Sequence, residues 1–199
     1  MMGFRGFLAM VGGCAAILSA HAQPPMERER PSPGRWADAA YRWHYNPANR
    51  PAWLGDAQAL ALLQEAAAKW RECGVSMEFL GQTQIAPATI DGVNVVGWRS
   101  QMPPQMRGVT VGRAREGRLL ERDIVFAADR AEFERHPELL RKVLVHEFGH
   151  AIGLTHSARC DEVMTLAADC PGQDPARLPL APTARDIERC RALYAGSRP

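Results

Sequence analysis

The order of elements legible along this 199-residue sequence predicts an α+β domain built on one sheet of five strands, with an α/β arrangement as the alternative. Three observations carry that expectation. Short segments rich in β-branched and aromatic residues recur five times between positions 41 and 129. Two longer segments repeat apolar residues at helical spacing. After Gly153 the chain turns loop-rich, with two cysteines and four prolines, before one last helical segment; this reads as a small irregular C-terminal lobe.

YRWHYN (41–46) alternates aromatic and polar residues and reads as the first strand. DAQALALLQEAAAKWREC (56–73) follows, with Asp56 placed as an N-cap and with Leu60, Leu63, Ala67 and Trp70 on one apolar face. Gly74 stops that helix, and VSMEFLG (75–81) is the second strand. GVNVVGWRS (92–100), GVTVGRA (108–114) and RLLERDIVFAAD (118–129) supply the remaining three. HPELLRKVLVHEFGHAIG begins a long helix, with Pro137 suited to its first turn and Leu140, Val143, Leu144 and Phe148 on its buried side. Thr183 to Ala195 closes the chain as a helix, with Thr183 and Asp186 at capping-box spacing.

The first 22 residues read as an export signal. One basic residue, Arg5, precedes an apolar run from Phe7 to Ala20, and Ala20-His21-Ala22 forms a cleavage site. The run falls short of the roughly 18 apolar residues that a membrane-spanning helix needs. Cys14 as a lipid-attachment site is the weaker reading, because the apolar stretch continues past it through Ile17 and Leu18. Residues 23–37 are proline-rich and charged, a flexible segment ahead of a folded domain over 38–197. The expected location is therefore secreted or periplasmic. Export into an oxidising compartment leaves Cys73, Cys160, Cys170 and Cys190, an even set that reads as two disulfides rather than a thiolate metal site. Four cysteines allow three pairings. Cys160 with Cys170 would close a short loop, and Cys73 with Cys190 would then tie an early helix to the last one.

Charge is nearly balanced, 24 basic against 22 acidic residues, so no field draws nucleic acid or an anionic membrane. A monomer acting on a protein or peptide is expected. The stretch that decides the chemistry is HEFGHAIGLTHS, His146 to Ser157, which holds three of the six histidines. On a helix His146 and His150 lie about 40° apart around the axis, so both rings leave one face and can bind one ion. His156 would lie about 9 Å farther along a continuous helix. Gly153 allows the chain to break and return, because a residue without Cβ takes the left-handed conformation. Three imidazoles are a catalytic type of zinc set, with one position left for water whose pKa the metal lowers. Glu147, beside the first ligand, is placed to act as general base on that water. One catalytic zinc is expected.

The pattern H-E-x-x-H-x-x-G-x-x-H, followed by Ser157, resembles the matrixins among the metzincin zinc peptidases. DGVNVVGW, RDIVFAAD and PTARDIERCRALYAG are similar to matrixin catalytic domains as well, so the resemblance spans roughly residues 38–196. It implies a twisted, mostly parallel five-stranded sheet, endopeptidase activity, and a methionine turn at Met164 that floors the metal site without coordinating it. It also implies substrate running along an exposed edge strand near GVTVGRA, and a specificity pocket walled by TLAADCPGQDPARLPL after Met164. Two features depart from animal matrixins. Residues 23–40 hold no cysteine and are too few for a folded prodomain, so a cysteine-switch prodomain is not expected. His21, His44 and His136 do not form the pattern of a second, structural zinc site. Calcium accompanies the resemblance, although no acidic loop marks a site for it. Arg107, Arg113 and Arg115 read as solvated surface, and Tyr194 as a helix-end packing residue rather than an oxyanion donor. Two rival functions keep the zinc: a cell-wall peptide hydrolase or amidase, and a silent zinc-stabilised binding module. Glu147 speaks against the second, because a structural site gains nothing from a carboxylate beside the metal.

Overall fold

The computed structural model describes residues 33–166, 169–170, 172 and 179–195. Ten elements follow in order: β1 (Ala40–Tyr45), α1 (Asp56–Ala68), a 3-10 turn (Arg71–Cys73), β2 (Ser76–Gln82), β3 (Val95–Arg99), β4 (Gly108–Arg115), β5 (Arg118–Ala127), α2 (Ala131–Arg135), α3 (Pro137–Ala151) and α4 (Ala184–Tyr194). The five strands form one sheet in the order β2-β1-β3-β5-β4. Its first four members run parallel, and β4 alone is antiparallel, paired with β5 from Gly108 opposite Phe126 to Arg115 opposite Arg118. This is an α+β fold with a mostly parallel, open sheet, as the sequence predicts.

Burial explains the strand composition. β3 and β5 are central, and apart from the exposed start of β5 they are buried almost throughout. Residues 95–98 of β3 and 124–127 of β5 are the apolar runs that covered parallel strands carry, while Glu121, Arg122 and Asp123 are charged residues buried within β5. In β1 the aromatic rings of Tyr41, Trp43 and Tyr45 are buried while Arg42 is exposed. Those rings join Val96, Trp98, Ile124 and Phe126 in one cluster with Leu63 and Trp70 at and just beyond α1, and with Leu140, Leu144 and Phe148 of α3. Trp43 packs edge-on against Phe148 at 5.4 Å, and the Trp70 indole donates to Val145 O at 2.9 Å. The opposite face carries a smaller cluster of Met102, Val125 and Ala127. There Asp123 accepts from Ala88 N at 2.6 Å and Val95 N at 2.7 Å, which clasps the segment ahead of β3 to the sheet. Burial raises the Asp123 pKa to about 7, against the opposing pull of those two amides.

Several expectations need correction. Gly55, not Asp56, is the N-cap of α1; Asp56 occupies the first turn, where its charge suits the helix dipole. The first helix ends at Ala68 and is continued by the 3-10 turn, with Gly74 left-handed at φ 85°. β3 begins at Val95 rather than 92, because Gly92 has φ 90° and Asp91 accepts from Val93 N in a tight turn. The short α2 was not anticipated. It is separate from α3 because His136 precedes a proline, and the ring disfavours helical backbone there; φ is −134° and ψ 76°. Pro137 does open α3, and the Thr183–Asp186 capping box opens α4.

The folded part also begins earlier than residue 38. Arg35 pairs with the β4–β5 turn through Gly117 O at 3.0 Å, and the buried Trp36 donates its indole N–H to Ala151 O at 2.9 Å. The export signal with Cys14 and the proline-rich residues 23–32 lie outside the described residues. No helix among the described residues is long and apolar enough to cross a membrane.

Candidate metal centre and active site

α3 delivers His146 and His150 one turn apart, and the chain then reverses at Gly153. Leu154 N donates to Gly149 O at 3.0 Å and Gly153 N to His150 O at 2.9 Å, which closes the helix end. Gly153 has φ 97°, and a Cβ there would collide with the carbonyl oxygen of Gly34. Both facts require glycine. The returning chain carries His156 back, and the ligand atoms of the three histidines lie within 4.8 Å of one another. The Nε2 of His150 is 3.1 Å from that of His146 and 3.0 Å from that of His156.

The opposite ring nitrogens fix the tautomers. His146 Nδ1 lies 2.9 Å from Val163 O, and His150 Nδ1 lies 2.7 Å from Leu154 O. A carbonyl oxygen only accepts, so each Nδ1 carries the proton and each Nε2 presents a lone pair. Lone pairs facing one another at hydrogen-bond distance are reconciled by a cation between them. Burial lowers the His146 pKa to about 4 and holds His150 well below its usual value, so both rings are neutral. Neutral imidazoles oriented by carbonyls suit zinc, whose nitrogen ligands sit roughly 2.0–2.1 Å from the metal. The donor set fits the ion that the sequence predicts.

The turn after His156 is itself anchored. Ser157 N donates to Met164 O at 2.9 Å, and Val163 N donates to the Asp186 carboxylate at 3.0 Å. Met164 is fully buried, and its sulfur lies so close to Gly149 that a Cβ there would clash. Arg189 bridges the buried Glu162 at 3.1 Å and Thr155 O at 2.9 Å, tying the His156 segment to α4. Gly149, Glu162 and Arg189 were not singled out in the sequence. No local pattern marks them, since their partners lie on other elements.

Glu147 is buried beneath β4. Its Oε2 accepts from the Thr110 hydroxyl at 2.8 Å, and burial raises its pKa to about 7. Gly108 makes room: a Cβ there would stand 2.9 Å from Glu147 Cγ and 3.0 Å from its Oε1. β4 is an edge strand, as expected for the GVTVGRA segment.

Of the three pairings that the sequence leaves open, the structure takes Cys160 with Cys170 and Cys73 with Cys190. Cys73 joins Cys190 with Cα atoms 5.5 Å apart, and Cys160 joins Cys170 at 5.7 Å. Most of the expected pocket wall after Met164 lies outside the described residues. Arg107 pairs with Glu132 and Arg115 with Glu116 at the surface, whereas the exposed Arg113 reaches in to the buried Glu121. Tyr194 donates to Ile152 O at 2.9 Å and packs the helix end. Among the described residues the three histidines are the group whose ligand atoms converge, and no calcium site is supported.

A mixed sheet backed by a helix, with a histidine pair on that helix and a third histidine returned by a glycine turn, is an arrangement suited to one zinc ion, and the family that the chain matches is one of zinc metallopeptidases. The sequence profile of the matrixin family matches residues 13–195, and the chain belongs to that family. No curated protein sequence matches. Among solved structures 83 chains are similar. One is a chain in the GM1-bound form of the ECX AB5 holotoxin, with a TM-score of 0.50 and 13% identity over 78% of this chain and 80% of that one, a likeness of fold alone.

Proposed function

We propose that this chain is an exported zinc endopeptidase in which His146, His150 and His156 hold the metal and Glu147 is the general base. The observation that carries the reading is the convergence of three histidine ring nitrogens, two of them oriented by backbone carbonyls, with the buried Glu147 adjacent to His146 on the helix. When bound, zinc supplies Lewis-acid chemistry, acidifying water and polarising the scissile carbonyl. Glu147 takes a proton from the attacking water and passes it to the leaving nitrogen as the C–N bond breaks, which leaves a carboxylate and an amine. His146 and His150 hold their orientation through Val163 O and Leu154 O, so no ring rearranges during the reaction. The outer side of β4 offers backbone groups to an extended peptide, a sequence-tolerant mode of binding that suits cleavage within a chain. Two disulfides are compatible with an oxidising, extracellular destination.

The test uses Glu147→Ala with casein. The variant should keep zinc and fold while hydrolysis falls by roughly 100-fold or more, as expected when an acid–base group worth about 100- to 10,000-fold is lost. Undiminished activity removes Glu147 from the mechanism. Parallel incubation with peptidoglycan decides the substrate class: cleavage of peptidoglycan but not casein would replace the protein-hydrolysing reading with a cell-wall one.

A further inference from the structure

The base is gripped by the strand that the proposed substrate would join. Gly108 and Thr110 stand two residues apart on β4, so both point to the same face, towards α3. Thr110 is 2% exposed, and its hydroxyl lies 2.8 Å from Glu147 Oε2 and 3.1 Å from the Glu147 backbone oxygen. A hydroxyl has one proton, and the shorter contact goes to the carboxylate, the stronger acceptor. Glu147 has three side-chain torsions and would otherwise sample several rotamers. With Oε2 held, Oε1 is the oxygen turned towards the gap that Gly108 leaves.

We infer that Thr110 is a positioning residue for catalysis: by holding Oε2 of Glu147 it presents Oε1 to the reacting water. The inference rests on Glu147 being the base. It makes β4 serve two ends, with its outer backbone pairing substrate and its inward side chains setting the base, so the distance between them is fixed by one strand. A mere staple between strand and helix would also use this hydroxyl, through the Glu147 carbonyl. The two roles part company in the kinetics.

The experiment compares Thr110→Val, Thr110→Ala and Thr110→Ser in the zinc-loaded full chain, with kcat and KM measured separately on a peptide substrate and zinc content measured alongside. Valine keeps the shape and removes the hydroxyl. Its kcat should fall by about 10–100-fold, the range for a hydrogen bond to a charged group, with KM changed by less than about twofold. Serine should stay within about threefold of wild type in kcat, since it restores the donor. Should valine fail to fold or hold zinc, the alanine variant is read by the same criteria. Wild-type kcat without the hydroxyl, a loss confined to KM, a loss that tracks zinc content, or serine as poor as valine overturns the inference. Glu147→Ala assayed beside them separates the two failures. An active Glu147→Ala enzyme discards the base itself, whereas an inactive one with an unimpaired Thr110→Val enzyme discards only the role of Thr110.

Discussion

Three glycines surround the site, and each is held by contact rather than by composition. Gly108 leaves space for the carboxylate of Glu147, Gly149 lets the sulfur of Met164 lie against α3, and Gly153 turns the chain where the Gly34 carbonyl presses on it. Only Gly153 combines close approach with a left-handed backbone, so it is the most demanding of the three. Gly153→Ala should cost about 2 kcal/mol from the conformation alone, more once the collision with Gly34 is added. Thermal denaturation should register that loss, and zinc content should fall with it, because the same turn carries His156 back to its partners. An alanine variant as stable and as zinc-replete as wild type would show that the turn does not depend on glycine. This residue was legible in the sequence because a helix cannot deliver a third histidine six positions on without a break. Gly108, Gly149 and Thr110 were not, since the groups that constrain them lie 37 to 39 positions away, or 15 for Gly149, and meet only once the sheet and the methionine turn are built.

At the scale of elements, the end of α3 is the part most dependent on its neighbours. The last carbonyls of a helix lack intrahelical donors. Here Ala151 O is taken by the Trp36 indole and Ile152 O by the Tyr194 hydroxyl, one from each end of the folded chain. Trp36 N donates in turn to Tyr194 OH at 3.3 Å, so the two caps are joined. Trp36→Phe removes the indole donor while keeping an aromatic ring. It should lower stability by roughly 1–3 kcal/mol, the cost of a buried carbonyl left without its donor, and leave one zinc bound. Chemical denaturation checks this, and an unchanged midpoint would mean that water or another group replaces the indole. Trp36 was read with the proline-rich segment because nothing local distinguishes a tryptophan that docks from one in a tether. Long elements fared better. The periodicities of α1, α3 and the strands are local signals, while the exact caps and the separation of α2 from α3 depend on single backbone conformations at Gly55 and His136.

Across the whole molecule, the site stands where three long-range constraints meet. The sheet sets the distance between β4 and α3, the hydrophobic cluster fixes α3 against α1, and α4 anchors the methionine turn through Asp186. Cys73–Cys190 spans 117 positions and ties α4 to the end of the first helical segment. Closing a loop of that size restricts the unfolded chain by about 4–5 kcal/mol in the loop-entropy account. The short Cys160–Cys170 loop follows His156 directly. The convergence of the three histidines could be read from the sequence because histidine spacing on a helix has few other uses; the second layer of carbonyls, hydroxyl and carboxylates could not, because it exists only in three dimensions.

X-ray absorption at the zinc edge of the purified, zinc-loaded protein examines the ligand set most directly, supported by metal content in wild type and His156→Ala. One zinc per chain, three imidazole nitrogens at roughly 2.0–2.1 Å and one further light atom are expected, with zinc content greatly reduced in the variant. A sulfur scatterer at about 2.3 Å, four imidazole ligands with no open position, or a His156→Ala protein with unchanged zinc and spectrum would contradict the proposed centre.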